Sequence, residues 1–424
     1  MKPLAQTEHV SQNAATPQKI SVARELLRIP VVVAALGYLV DMYDLFLFSI
    51  VRIPSLTAIG VSGSSLLDDG VFLLNMQMAG LLIGGVFWGV LGDKRGRLSV
   101  LFGSILIYSL ANIANGFVQT VPQYAALRFI AGIGLAGELG AGITLVSEIL
   151  PRQIRGYGTT LVATLGVFGA ILAYFIADIF EWRAAYFIGG GLGLVLLVMR
   201  VRVFESGMFL KSKTDNVQRG NFLMLFNHRE RFFRYLKCIL VGLPIWFVSG
   251  IMITFSPELG AAIGVDTPVD AGIAVILAFA SQTFGNISSG VLSQYTRSRK
   301  KIMAAFIVMC FIFSVLYLAL PITSLNVFYA MCLLLGFTNG YWALFVTVSA
   351  ELFGTNLRAT VATTVPNFVR GAIIPITMLF LMLRDSIGIL NSALIIAFLT
   401  TGVALLALWK LTETFDKDLD YNEE

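Results

Sequence analysis

Histidine occurs only twice in the 424 residues, at His9 and His228, and cysteine only three times, at Cys238, Cys310 and Cys332. Both histidines lie outside the apolar segments, so no imidazole-based catalytic or metal site can be assembled there. The cysteines fall in apolar stretches with neither CxxC nor metal-ligand spacing, which leaves them as packing residues. Charged residues make up only 13% of the chain, against ~25% in soluble proteins. No Walker-type phosphate loop is present, which argues against ATP as the energy source. No cofactor is implied, and no constellation of an enzyme is visible. Residues 1–28 are polar and lack the apolar core of a signal peptide, so they read as a tail.

What remains is apolar: 57% of residues are hydrophobic and the mean hydropathy is +0.82. The chain is therefore expected to cross a membrane many times. About 12 apolar runs are legible. The first six cover roughly 30–54, 71–91, 98–118, 122–150, 157–179 and 184–200. The second six cover roughly 236–259, 269–293, 302–321, 325–350, 359–383 and 388–409. The implied organisation is an N-terminal tail (1–28), a six-helix bundle (29–200), a basic linker (201–235), a second six-helix bundle (236–410) and a C-terminal tail (411–424). Two sets of six suggest an internal repeat. Lys94, Arg95, Arg97, Arg152, Arg155, the stretch 200–237, Arg297 to Lys301 and Arg358 fall on one side. The other side receives only Arg52, Arg183 and Arg384, with Asp68, Asp69, Asp178, Glu181, Glu258, Asp266, Asp270 and Asp385. The positive-inside rule then places both termini in the cytoplasm and the protein in a cell or inner membrane. The segment 228–235, basic and aromatic, reads as an amphipathic helix on the inner membrane surface. No nucleic-acid partner is expected; the partners are the bilayer, a small molecule and a proton, with the protein working as a monomer.

The stretch Val31 to Pro54 is long enough to span the hydrocarbon core, yet it carries Asp41 and Asp44 near its middle. A charge at that depth costs roughly 2.5 to 3.5 kcal/mol, so such carboxylates mark a pathway, a relay or a paired charge. Their spacing of three puts both on one helical face, beside Tyr43. They are suited to carrying a proton, or alternatively to lining a wet cleft.

The turn after the second run reads Gly89-Val-Leu91-Gly-Asp93-Lys-Arg-Gly96-Arg97. It resembles the G-x-L-x-D-x-x-G-R signature of the major facilitator superfamily, and the 6+6 layout agrees. The run Glu148-Ile-Leu-Pro151-Arg-Gln-Ile-Arg155-Gly156 looks like the E-x-x-P-x-x-x-R-G stretch of its sugar-porter and organic-ion branches. The resemblance implies an all-α fold of twelve transmembrane helices in two six-helix bundles, working by alternating access. It also implies a cytoplasmic gate network of Gly89, Asp93, Gly96, Arg97, Glu148 and Arg155. The second half repeats the pattern in degraded form, with Gln294 where the motif has Asp, while Glu351 and Arg358 persist. In sugar porters a first-helix Asp and a fourth-helix Arg form the proton-coupling pair; Asp44 and Arg128 match those positions, with Met42 in place of the usual Gly. The fifth run lacks the Pro-containing glycine motif of antiporters, which leans towards symport.

The fourth run also spells a Rossmann-like pattern in Gly132, Gly134 and Gly137. No strand precedes it and it lies inside an apolar helix, so these small residues serve close packing instead. Glu138 follows at mid-depth. In the second bundle Trp246, Gln282, Asn286, Asn339, Tyr341, Trp342 and Asn367 are candidate lining residues. Arg370 lies mid-membrane between Asn367 and Pro375; it can bind a substrate carboxylate with its planar fork or neutralise Asp41 or Glu138. With Asp41 and Glu138 free to hold an ammonium, and Tyr43 and the tryptophans packing on the remainder, the expected cargo is an amino acid, cationic ones included. An organic carboxylate anchored by Arg370 is second and a sugar third. A receptor of the same fold that does not transport is the non-carrier alternative.

Overall fold

In the computed structural model, residues 22–150, 154–200, 222–415 and 423 are described. Twelve helical spans follow one another: α1 (Ile29–Ala58), α2 (Ser65–Arg95), α3 (Arg97–Asn115), α4 (Val121–Leu135 and Glu138–Ile149), α5 (Arg155–Ile179) and α6 (Trp182–Arg200). The second set is α7 (Arg229–Val241, continuing through Leu243–Phe247, Val248–Ile253 and Ser256–Ile263), α8 (Ala271–Tyr295), α9 (Arg299–Ala319), α10 (Leu325–Thr338 and Trp342–Glu351), α11 (Thr355–Gly371 and Ile373–Ile387) and α12 (Ile389–Trp409). Among the described residues, eleven spans are long and apolar enough to cross a bilayer, and α5 contributes the shorter apolar stretch Thr164–Ile179.

The helices start and stop where local chemistry requires. Gly96 joins α2 to α3 at φ +97°, a backbone region that other residues rarely adopt. Ser298 caps α9, and Glu413 from the chain's end reinforces that cap: its carboxylate accepts from Ser298 Oγ (2.6 Å) and from the amides of Arg299 (3.1 Å) and Lys300 (3.2 Å). Burial pushes the Glu413 carboxyl up, but these hydrogen bonds outweigh it and hold it below its usual range. A lowered folded value contributes stability that is present above the unfolded pKa and lost as pH falls through the folded one. Glu413→Gln should therefore lower the thermal unfolding temperature at neutral pH, and the difference from wild type should vanish in acid.

The glycines of α4 do what close packing demands. A Cβ on Gly132 would meet the α2 backbone at Gln77, and one on Gly134 would meet Tyr108 of α3. α7, α10, α4 and α11 are each interrupted near mid-membrane. α7 passes through a π-helical turn, Val248–Ile253, and α10 through a 3-10 turn, Asn339–Tyr341. Such breaks expose backbone polar groups where only a protein-lined cavity tolerates them. The three cysteines are buried and free.

Three segments lie elsewhere than the sequence suggests. Residues 229–235, expected as a surface-lying linker helix, are the first turns of α7, with Arg231 and Tyr235 buried. Tyr235 packs against Phe222, Phe353 and Phe368. Arg52, expected in an outer loop, is fully buried in α1, and Arg200, counted with the linker, is buried at the end of α6. Each has an acidic partner that sequence spacing does not reveal.

Candidate functional site

The first helix carries a ladder of charge pairs. At Gly37, a Cβ would lie 2.9 Å from Glu138 Oε2, because the Glu138–Arg200 pair packs directly on the bare backbone there. One turn on, Asp41 faces Arg370 of α11 at 3.8 Å. The next turn brings Asp44 to Arg128 of α4 at 3.6 Å. Positions 37, 41 and 44 follow the i, i+4, i+7 stripe of one helical face, so the three pairs span about 10 Å of axis at 1.5 Å per residue. Two turns further, Arg52 meets Glu258 of α7 at 2.7 Å.

These pairs differ in how tightly they are made. Glu138 and Arg200 form a bidentate pair, Nη1 to Oε1 at 2.9 Å and Nη2 to Oε2 at 2.6 Å, and Ser104 Oγ donates to Oε1 at 2.7 Å. Neither is free for a ligand. Removing one partner of such a buried pair strands the other charge, at a cost of about 3 to 5 kcal/mol. Glu138→Ala should therefore lower the unfolding temperature sharply in detergent, whereas Glu138→Gln combined with Arg200→Met should recover much of the loss. In contrast, both oxygens of Asp41 and both of Asp44 lack a hydrogen-bond partner among the described residues. Arg128 donates to Gln77 Oε1 and lies over the rings of Phe48 and Tyr186 at 5.0 and 5.9 Å.

Around Arg370 lies a cavity of about 40 Å³ between the bundles, bounded by Tyr38, Phe46, Trp246, Phe279, Gln282, Asn286 and Trp342. That volume is room for water only, so a larger guest requires the bundles to separate. The guanidinium sits 5.8 Å from the Trp246 ring centre, and Arg370 Nε, Arg370 Nη1 and Trp246 Nε1 are buried donors without a partner among the described residues. The structure thus assembles Arg370, Trp246, Gln282, Asn286 and Trp342. Asp41 reaches it as the partner of Arg370, and four other sequence candidates hydrogen-bond elsewhere. Tyr43 donates to Ala185 O, Tyr341 to Val241 O, Asn339 to Ile245 O and Asn367 to Ala136 O, so each secures a helix instead. Tyr38, Phe46 and Phe279 join the lining without having been anticipated; the face shared by 38, 41, 42 and 45 on α1 was the available signal.

The acid-rich face of the membrane is closed by contacts between the bundles. They are Arg52–Glu258, Ser49–Thr254 (3.0 Å), Arg384–Asp68 (2.7 Å) and Thr377–Asn75 (2.8 Å). Glu258→Gln should loosen this closure; a cysteine replacing Thr254 would then react several-fold faster with a membrane-impermeant maleimide. On the basic face, Glu351 pairs with Arg299 at 2.8 Å, and Arg358 donates to Phe353 O at 3.3 Å. A Cβ on Gly89 would lie 3.6 Å from Thr364 of α11, in ordinary contact. The side chains of Asp93, Arg97, Glu148 and Arg155 lie outside the described residues.

Twelve spans in two bundles, broken helices at mid-depth and a buried charged cavity between the bundles define a membrane carrier. The chain belongs to the Major Facilitator Superfamily, whose family model it matches over residues 34–376. It is 28% identical to the niacin transporter NiaP of Acinetobacter baylyi over 77% of this chain and 80% of that one. It is 26% identical to the gentisate transporter of Corynebacterium glutamicum over 88% and 86%, and 24% identical to the cis,cis-muconate transport protein of Acinetobacter baylyi over 96% and 98%. Among solved structures, the proton:xylose symporter XylE superimposes with a TM-score of 0.73 at 17% identity, covering 92% of this chain and 97% of that one. That likeness concerns the fold.

Proposed function

We propose that the protein is a proton-coupled symporter of a small organic carboxylate, with an aromatic or unsaturated body, and that Arg370 anchors the carboxylate. The observation that carries this reading is the convergence of three unpartnered donors, two on Arg370 and one on Trp246, in an aromatic cavity. A planar guanidinium beside an indole N–H suits a planar carboxylate, and the surrounding rings suit a flat body. Relatives named for niacin, gentisate and muconate transport agree with it. The amino-acid reading loses support, because Glu138, one of its two ammonium acceptors, is held by Arg200 and Ser104.

Coupling follows from competition. A substrate carboxylate that takes the Arg370 fork removes the partner of Asp41. An unpaired carboxylate in a dry site neutralises rather than stay charged, so Asp41 takes a proton as the substrate binds. Asp44, on the same face and opposed by Arg128, exchanges that proton with Asp41. The basic face is the cytoplasmic one in this reading, the membrane is the cell's own, and Asp93, Arg97, Glu148 and Arg155 latch the cytoplasmic side with Glu351 and Arg358. The carrier acts as a monomer.

The test is ligand-induced thermal stabilisation of the purified protein, since a ligand that binds the native state raises its stability with occupancy. Benzoate and nicotinate should stabilise, while benzamide, nicotinamide, lysine and xylose should not. Stabilisation by lysine alone would return the reading to a cationic amino acid.

A further inference from the structure

A second buried polar feature lies away from the substrate cavity, inside the amino-terminal bundle. Along α3, Ser104, Tyr108, Asn112 and Asn115 recur at i, i+4, i+8 and i+11, which places them on one face, with Ser109 beside Tyr108. All five are fully buried. Ser104 is spent on Glu138, as described. The Tyr108 hydroxyl, the Ser109 hydroxyl and both amide atoms of Asn115 have no hydrogen-bond partner among the described residues, and Asn112 has the Asp44 carboxylate beside it.

Four such atoms in one column are costly in a dry interior, where each polar group without a partner loses roughly 1 to 3 kcal/mol. Ordered water is the usual remedy for buried polar groups that face one another. A Cβ at Gly193 of α6 would lie 2.6 Å from the Tyr108 hydroxyl and would also strike Ser109 Oγ, so the bare backbone of α6 lets both hydroxyls turn inward on one side of the column. The column also touches the charge ladder. Asn112 lies alongside the Asp44 carboxylate, and Tyr108 is within electrostatic reach of Glu138, Arg200, Asp44 and Asp41. Asn115, the last residue of α3, reaches the loop on the acid-rich face. None of these five residues borders the cavity around Arg370.

We propose that this α3 column is hydrated and forms a proton path through the amino-terminal bundle, from the acid-rich face past Asn115 and Asn112 to Asp44, separate from the route of the substrate. The proposal rests on the proton-coupled reading above. A hydronium proton entering the column passes along waters held by the two amides and the Tyr108 and Ser109 hydroxyls. It ends on an Asp44 carboxylate oxygen, which it neutralises, and Arg128 is the cation that faces Asp44 from α4. No bond other than O–H forms or breaks. The arrangement explains how Asp44 can be reached while Arg52–Glu258 and Arg384–Asp68 close the acid-rich face to a larger guest.

Two measurements test it. Hydroxyl-radical footprinting of the full chain reports water next to buried rings without reference to transport. Tyr108 should be labelled about tenfold faster than Tyr341, which is equally buried but has its hydroxyl bonded to Val241 O at 3.1 Å. Equal, slow labelling of the two would show a dry column and overturn the proposal. In proteoliposomes, Asn112→Leu and Asn115→Leu should each cut benzoate uptake driven by a pH gradient by about tenfold, while the thermal stabilisation by benzoate persists. Coupled uptake at the wild-type rate in both variants would overturn the path alone. Wild-type uptake indifferent to the pH gradient would overturn the coupled reading itself, and the path with it.

Discussion

Asp44→Asn is expected to abolish accumulation of substrate against its gradient while leaving exchange of internal for external substrate within a few-fold of wild type. Asparagine keeps the size of the side chain and mimics the protonated carboxyl, but it cannot take up or release a proton. Asp44 has Asn112 beside it and a 3.6 Å contact with Arg128, and the amide that replaces its carboxylate keeps an oxygen facing both. Exchange moves substrate in both directions with no net proton movement, and so it survives. The measurement is a pair of assays in proteoliposomes: uptake driven by an imposed pH gradient, and counterflow without one. Full uphill accumulation by the variant would remove Asp44 from the coupling step.

The second large effect is at Arg370. Arg370→Ala removes the guanidinium that, alone among the described residues, borders the cavity, and it strands Asp41, which Arg370 faces at 3.8 Å. A charge-assisted hydrogen bond to a carboxylate contributes about 1.5 to 3 kcal/mol, so affinity should fall about tenfold to a hundredfold. Arg370→Lys should recover little, because a point charge cannot offer the planar pair of donors. The readout is the concentration of benzoate that gives half-maximal thermal stabilisation. A combined Arg370→Ala and Asp41→Asn variant removes the stranded carboxylate; it should fold as well as wild type and still fail to bind.

The fold was legible because the bilayer leaves so few solutions. Apolar runs of about 20 residues and a biased distribution of Lys and Arg set out twelve spans before any contact is known. The Asp44–Arg128 approach was also within reach, since both residues sit at depths that demand a partner. The partners of Arg52, Glu138 and Arg200 were not. Arg200 closes α6 in the sequence after an apolar run and counts naturally with the basic stretch that follows. Only the packing of α6 against α3 and the bare backbone at Gly37 fold it back onto Glu138. The same pairing withdraws Glu138 from the substrate site and turns the reading of the cavity from an ammonium towards a carboxylate. Hydrogen bonds from Tyr43, Asn339, Tyr341 and Asn367 to backbone carbonyls were equally invisible. They arise where α4, α7 and α10 break or where two helices meet, and sequence does not say which carbonyls are left open there.

The measurement that bears most directly on the central claim is uptake of labelled benzoate by proteoliposomes of the wild-type protein, with internal pH followed at the same time. With the lumen alkaline, the account predicts that benzoate accumulates and that each burst of uptake acidifies the lumen, with benzamide producing neither effect. Accumulation of lysine without benzoate, or benzoate movement that ignores the pH gradient, would contradict it.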